Sequence, residues 1–338
     1  MWTEDKLDNL LTTPSAKLIE DMKSISGDII ILGAGGKMGP SLSLLAKNAV
    51  NAAGTGSKVI AVSRFSDPFA VKLLNDNQVE TISCELMDNE QLGKLPDVEN
   101  IIYMAGRKFG TSGQEYLTWA MNAWLPSRVA QKYKDSRIVV FSSGNIYPLK
   151  SSGSGGATEE TKPDPIGEYA MSTLGRERMF EYAAHTYNTK IAMYRLNYAV
   201  DLRYGVLFDI AQNILSDNPI SLSNSFFNCI WQGDANEAAI RCLIHADENI
   251  FKLNVTGPEI IPLKETALKM GELLGKEPIF TGEPGDSALL SNAGKMFTMF
   301  GYPSVPLNDL ILWQAEWIMS GGRSLNKPTH FEERKGDF

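Results

Sequence analysis

A doubly wound α/β fold, with a mainly parallel sheet between layers of helix and a smaller C-terminal substrate lobe, is predicted for this 338-residue chain by two patterns. Apolar strand-like runs alternate with helix-like stretches through residues 28–197, and the first run stops at glycines and passes straight into a helical pattern. Parallel strands need long crossover connections, usually helices, so the alternation reads as successive βαβ units. A strand that feeds a helix through glycine leaves bare backbone N–H groups at the positive end of the helix dipole, where a pyrophosphate can approach closely.

The elements follow in order. Residues 4–26 carry Leu7, Leu10 and Leu11, then Leu18, Ile19 and Met22, on either side of Pro14-Ser15. That spacing predicts two short helices, a helical extension over 1–26 ahead of the first strand. The run Ile29–Leu32 ends in Gly33-Ala34-Gly35-Gly36-Lys37-Met38-Gly39, a G-x-x-G-x-x-G frame, because position 38 is methionine and not the glycine that G-x-G-x-x-G needs. Further strand-like runs are Lys58–Val62, Thr81–Cys84, Asn100–Met104, Arg137–Phe141 and Ile191–Tyr194, separated by helical stretches such as Ser41–Ala53, Tyr116–Lys132 and Tyr169–His185. A dinucleotide-binding domain is therefore expected over 27–197, with its ligand crevice at the carboxyl ends of the strands. Beyond about 197 the alternation gives way to short segments with several prolines and glycines. This predicts a mainly substrate-binding lobe over 198–338, some segments of which return to the first domain. Lys150–Thr161, with Ser151-Ser152-Gly153-Ser154-Gly155-Gly156, is the one low-complexity stretch and predicts a mobile loop, either a surface connection or a substrate lid.

Composition removes several function classes. A net charge of −8 and a sequence pI of about 5.1 leave no broad cationic surface for a nucleic acid or an anionic membrane. Cys84, Cys229 and Cys242 lie far apart with no C-x-x-C, which suits a reducing compartment, and no basic segment with an apolar core opens the chain. A cytoplasmic protein is expected. His185, His245 and His330 have no metal-ligand spacing, so no metal site is expected. Asn254-Val255-Thr256 matches a glycosylation sequon and is read as chance.

Later motifs extend the glycine turn. Glu85-Leu86-Met87-Asp88, Tyr103-Met104-Ala105-Gly106, Asn122, Phe141-Ser142-Ser143-Gly144-Asn145-Ile146-Tyr147, and Glu160-Thr161-Lys162-Pro163-Asp164-Pro165 followed by Tyr169 stand in one order along the chain. In that order they resemble the extended short-chain dehydrogenase/reductase family, which holds the NAD-dependent epimerases and dehydratases, over about residues 27–300. The resemblance implies a Rossmann-type fold and a nicotinamide cofactor. It places Gly33, Gly36, Lys37, Met38 and Gly39 at the pyrophosphate, Ser63 and Arg64 at the adenosine ribose, Glu85 and Leu86 by the adenine, and Ala105 and Gly106 under the cofactor. Ser143 falls at the catalytic hydroxyl position and Tyr169 at the general acid/base. Gly144, Asn145 and Asn197 fall on the substrate side. The resemblance also implies a homodimer through the Tyr116–Lys132 and Tyr169–His185 helices.

The chain departs from that pattern at three places. Family members carry a lysine four residues after the tyrosine, which lowers its pKa and holds the nicotinamide ribose, whereas here Tyr169-Ala170-Met171-Ser172-Thr173 puts Thr173 there. A free tyrosine has a pKa of about 10, and a threonine hydroxyl supplies no charge to lower it. Three readings are open: a neighbouring cation such as Arg176, Arg107 or Lys108 substitutes; the chemistry needs less base strength; or the protein binds cofactor without turnover, as a regulator or scaffold. Arg176 itself reads as a solvated helix arginine.

The second departure is Ser63-Arg64 at the end of the second strand-like run, where an acidic residue would receive a ribose 2′-hydroxyl. With Lys37 nearby, these residues suit a 2′-phosphate, so NADP is favoured over NAD. Third, Phe227, seven residues before Asp234, stands where nucleotide-sugar enzymes place an arginine on the diphosphate, and Tyr198-Ala199-Val200-Asp201 replaces the usual Tyr-Gly-Pro segment. A phenyl ring cannot pair with phosphate. The expected substrate is thus a small carbohydrate, sugar acid or polyol, with Arg203 a possible carboxylate partner, and the expected reaction is hydride transfer in net oxidoreduction or epimerisation. The C-terminal stretch Lys327–Lys335 reads as a docked or disordered terminus.

Overall fold

The computed structural model describes residues 2–110, 112–327 and 329–336; Pro328 of the C-terminal stretch lies outside the described residues. Its first strand, β1 (Ile29–Leu32), is buried at every position and lies inside the sheet. To one side follow β2 (Val59–Ser63) and β3 (Glu80–Ser83); to the other follow β4 (Asn100–Tyr103), β5 (Arg137–Ser143), the strand Lys190–Leu196 and, at the edge, Phe251–Val255. All these pairings are parallel, with Ile29 opposite both Val59 and Asn100. Strand order reverses between β1 and β4, so their carboxyl ends part and leave a crevice.

The seventh strand comes from the part of the chain past residue 197 and pairs with Lys190–Leu196 from Phe251 to Val255. Its sequence alternates apolar residues with Lys252 and Asn254, so it lacks the continuous apolar run of the other central strands. Asn254 is nevertheless fully buried, donating to the Ala157 carbonyl at 2.8 Å and accepting from the Tyr147 hydroxyl at 2.8 Å.

Helices cover both faces. The helix α1 (Glu4–Thr12) is capped by Thr3 and α2 (Ala16–Met22) by Ser15, whose hydroxyls accept from backbone N–H groups. Leu18 and Met22 pack under the sheet while Leu7 and Leu11 join the lobe core, so the N-terminal extension ties the two cores together. After β1 the helix α3 (Gly39–Ala53) starts with proline at its first turn and ends at Gly54 in the left-handed conformation. The stretch read from sequence as one helix over Tyr116–Lys132 consists of Glu115–Trp119, a π turn Ala120–Trp124 and Leu125–Lys132. A π turn inserts a residue into the helical ladder and re-aims a side chain, here Asn122. The 21-residue helix Gly167–Tyr187 then runs back along β5.

The second core gathers Val206–Leu215, Leu263–Leu274 and Leu307–Met319 around Phe227, Trp231 and Trp317. One expectation is corrected here, and one is decided between its two alternatives. Residues 150–161 are not a free loop: Lys150–Ser151 pairs antiparallel with Ser287–Ala288, and buried Ala157 donates its N–H to the Leu290 carbonyl at 2.8 Å. The C-terminal stretch is docked. Phe331 is 3% exposed in the second core, and Arg334 donates to the Ser223 carbonyl and the Ser287 hydroxyl, each at 2.9 Å. Among the described residues no helix is long and apolar enough to cross a membrane.

Candidate active site

The glycine turn fills the crevice between β1 and β4. Gly33 has φ +95°, and a Cβ there would stand 2.6 Å from the Ala105 nitrogen; one on Gly39 would collide with the Ala34 carbonyl. These two glycines allow close packing of strand, turn and helix. Gly36 is open: a Cβ there would meet only the Gly33 carbonyl, at 3.5 Å, and its backbone faces the cavity. Gly39 is thus held in close packing and is not among the residues lining the two cavities.

A cavity of about 510 Å³ extends from this turn and is lined by Gly33, Gly36, Ser63, Arg64, Glu85, Leu86, Ala105 and Gly106. It brings together residues that the sequence places at four separate strand ends. Phe65 and Met121 also line it and carried no motif. Arg64 is exposed, its Nη1 3.4 Å from Glu85 Oε2 at the rim. Lys37 turns away from this pair: its Nζ donates to the Lys327 carbonyl at 2.9 Å and sits 4.9 Å from the centre of the Tyr204 ring. The expected partnership of Lys37 with Arg64 is therefore not formed.

A second cavity, about 310 Å³, shares Gly33, Gly36, Met104 and Gly106 with the first, so the two form one groove across the carboxyl ends of β1 and β4. Lys37, Met38, Ser143, Asn145, Tyr169, Arg176 and Asn197 line it. Ser143 Oγ donates to Asn145 Oδ1 at 2.8 Å and accepts from the Asn145 N–H at 3.2 Å, which fixes the hydroxyl at the strand end. Lys108 Nζ lies 5.7 Å from the centre of the Tyr169 ring. Burial pushes the ammonium groups of Lys108 and Lys37 down to about 8. Asn197 is buried and donates to the Leu289 carbonyl at 3.2 Å.

Four sequence expectations change at this groove. Thr173 is fully buried, outside the cavity lining, and its hydroxyl has no hydrogen-bond partner, so it does not stand in for the lysine. Gly144 lies behind the wall: a Cβ there would meet Ser291 Oγ at 2.9 Å and Asn197 at 3.3 Å. Arg176 is not solvated; it is 5% exposed and borders the cavity. Arg203 is buried and committed to Asp201 Oδ2 at 2.8 Å, Asp8 at 2.8 Å and Glu4 at 3.1 Å, which leaves it unable to receive a substrate carboxylate. Arg107 borders the same groove, with its Nη2 donating to the Gly110 carbonyl at 2.7 Å.

The C-terminal segment supplies the remaining wall. Thr329 lines the groove, with its N–H donating to Asp209 Oδ2 at 2.8 Å and its carbonyl accepting from Lys108 Nζ at 3.3 Å. Desolvation raises the Asp209 carboxyl above its ordinary range, opposed by these hydrogen bonds and by Lys37. No local pattern in the sequence signals this docking, because the receiving groups Asp209, Lys108 and Lys37 lie far off along the chain. Residues 150–161 do not line the groove, which favours the surface connection over the substrate lid among the two readings of that stretch.

The open Gly36 backbone, the two continuous cavities and the uncharged floor at Met104–Gly106 fit a dinucleotide. Among the described residues no group of three His, Cys, Asp or Glu side chains could hold a metal ion. A family model described as the NAD dependent epimerase/dehydratase family matches residues 29–247. No curated protein sequence matches the chain. Solved structures with the same fold include the UDP-glucuronic acid 4-epimerase of Bacillus cereus in complex with NAD, at 18% identity and TM-score 0.69, covering 87% of this chain and 99% of that one. The dTDP-glucose 4,6-dehydratase DesIV of Streptomyces venezuelae, with NAD and TYD bound, aligns at 16% identity and TM-score 0.73 over 87% and 97% of the two chains. Pal of Bacillus thuringiensis aligns at 16% identity and TM-score 0.72 over 87% and 99%.

Proposed function

Starting from a chain that belongs to the NAD dependent epimerase/dehydratase family, we propose an NAD(P)-dependent enzyme that oxidises, reduces or epimerises a small carbohydrate, sugar acid or polyol. Gly33, Gly36 and Met38 would hold the pyrophosphate, and Ser63, Arg64, Glu85, Leu86 and Ala105 the adenosine half. The bound cofactor would supply the hydride chemistry. Ser143, held by Asn145, would hydrogen-bond the reacting oxygen of the substrate, and Tyr169 would take or return its proton. A cation near the ring favours tyrosinate over tyrosine, and this is the service Thr173 cannot give. The observation that carries the reading as an enzyme over a silent binder is Lys108 Nζ, 5.7 Å from the Tyr169 ring centre in the same groove as Ser143.

The epimerase of Bacillus cereus and DesIV are both named for nucleotide sugars. Support for a smaller substrate here comes from buried Phe227 and from Phe331, which packs in the same core and brings the C-terminal segment across the groove. Support for NADP over NAD comes from Ser63 and exposed Arg64, with no carboxylate at the end of β2 itself and the nearby Glu85 carboxylate paired with Arg64 at 3.4 Å. A homodimer is proposed through the Glu115–Lys132 and Gly167–Tyr187 helices, which expose Tyr116, Trp124, Met171 and Tyr182. The three free, buried cysteines suit a reducing, cytoplasmic setting.

The test is a nicotinamide-absorbance screen of free sugars, sugar acids, polyols and UDP- and dTDP-sugars, run beside Tyr169→Phe. Turnover of a small substrate that is lost in Tyr169→Phe while NADH binding persists supports the proposal. Turnover confined to nucleotide sugars overturns the substrate class, and retained turnover in Tyr169→Phe removes the tyrosine from its role.

A further inference from the structure

We propose that Arg176 is a positioning residue that supplies the groove with a fixed positive charge and so favours the ionised form of Tyr169; this rests on the reading of Tyr169 as the proton-transfer group. Arg176 is 5% exposed, yet it borders the cavity. Its Nη1 donates to the Phe141 carbonyl at 2.7 Å and its Nη2 to Asn122 Oδ1 at 2.8 Å, both neutral acceptors, while Nε has no partner. The carboxylate next to it in the chain, Glu177, is taken by Arg195 at 2.8 Å and by Ser142 Oγ at 2.6 Å. Among the described residues Arg176 forms no ion pair.

A guanidinium does not shed its proton near neutrality, so this is a permanent charge, buried and unbalanced. Such a charge is costly unless negative charge binds or develops beside it. The surroundings are built to hold it there. A Cβ on Gly106 would collide with Nη2, so glycine at the floor of the groove is what lets the guanidinium reach its edge. Asn122, aimed by the π turn, is itself fixed by bonds to and from the Arg107 backbone, each at 2.8 Å.

Tyr169 and Arg176 are seven residues apart on one helix, hence on one face and roughly 10 Å apart along its axis. The other charged or titratable groups facing this region are Tyr103 of β4, whose ring centre lies 5.8 Å from the Arg176 guanidinium, Arg107 and Lys108 from the segment after β4, Tyr198 with Glu332 beyond it, and Lys37 with Asp209 and Tyr204. From the helix itself Glu168 is tied to Trp119 Nε1 at 2.5 Å, and Glu177 to Arg195.

The experiment is an ultraviolet difference titration of the substrate-free protein, with each variant read against its own Tyr169→Phe partner to isolate one phenol. Arg176→Gln should raise the Tyr169 midpoint by about 1 pH unit, the effect of a unit charge roughly 10 Å away at an effective dielectric of about 20. Asn122→Asp sets a counter-charge against Nη2 and should raise the midpoint as Arg176→Gln does, which keeps the test open if the glutamine variant does not fold. An unmoved midpoint in whichever of these two is folded overturns the proposal. Because no substrate is present, a shifted midpoint without turnover removes the proposed function and keeps Arg176 in place, whereas turnover with an unmoved midpoint removes Arg176 alone.

Discussion

Phe331→Ala tests whether the C-terminal segment closes the groove as a separately docked strap. Phe331 is 3% exposed in the lobe core beside Phe227, while its neighbours His330 and Glu332 are exposed or partly so. Truncating a buried phenylalanine costs about 3 kcal/mol at the lower end of the usual range. At 1.36 kcal/mol per decade, that is about a hundredfold increase in the undocked fraction of the segment. The reporter is the Thr329 amide, which donates to Asp209 Oδ2 at 2.8 Å and can exchange only when the segment lifts. Native-state hydrogen exchange should show its protection falling about a hundredfold, with amides inside Leu263–Leu274 changed far less. If Thr329 and that helix lose protection together, Phe331 belongs to the global core and no strap exists. If Thr329 keeps its protection, the phenyl ring is not what docks it.

The other predictions follow from the rim, the lysines and the buried ion pair. Arg64 is bound only loosely at 3.4 Å by Glu85, so NADPH should bind more tightly than NADH, and Arg64→Ala should reduce that preference by about tenfold; equal affinities in the parent protein refute the assignment. Lys37 and Lys108 sit near 8 in the folded chain, below their unfolded value, so between about pH 8 and 10.5 the unfolded state binds more protons and their contribution to stability improves as pH rises. Urea unfolding should show a shallower rise over that window in Lys37→Met and Lys108→Met than in the parent protein; parallel curves refute it. Glu177→Gln leaves Arg195 buried without a counter-charge, the two side chains being 0% and 3% exposed, and should cost about 3 kcal/mol in the same assay. A loss below about 1 kcal/mol would show that Tyr147 and the Glu159 carbonyl already satisfy the arginine.

The parallel sheet was readable because its inner strands are apolar runs with hard stops. Ile29–Leu32 is bounded by Asp28 and a glycine that only a left-handed turn explains, and all four side chains are buried. Phe251–Val255 was not readable for the opposite reason: Asn254 is buried because Tyr147, Ala157 and Asn292 satisfy its amide, and those partners lie far off in sequence. The same holds on Gly167–Tyr187, where Ser172, Thr173, Arg176 and Glu177 are buried on a helix that shows no clean apolar stripe. Helical spacing put Arg176 on the face of Tyr169, but its burial depends on Gly106 and Asn122, which approach from β4 and the π turn.

The two halves of the groove differ in legibility because they are made of different things. The half lined by Ser63, Glu85 and Ala105 is formed at the ends of consecutive strands, where backbone geometry does the work and glycine leaves a mark in the sequence. The half around Tyr169 is assembled from side chains on β5, the segment after β4, a long helix, residues 196–204 and the C-terminal segment. Local pattern carries no record of which side chains meet from five directions. A motif can therefore point to Tyr169 as the proposed proton-transfer group and still mislead about its cation. Thr173 marks a missing lysine, and only the tertiary packing shows that Lys108 lies near the Tyr169 ring and that Arg176 borders the same cavity.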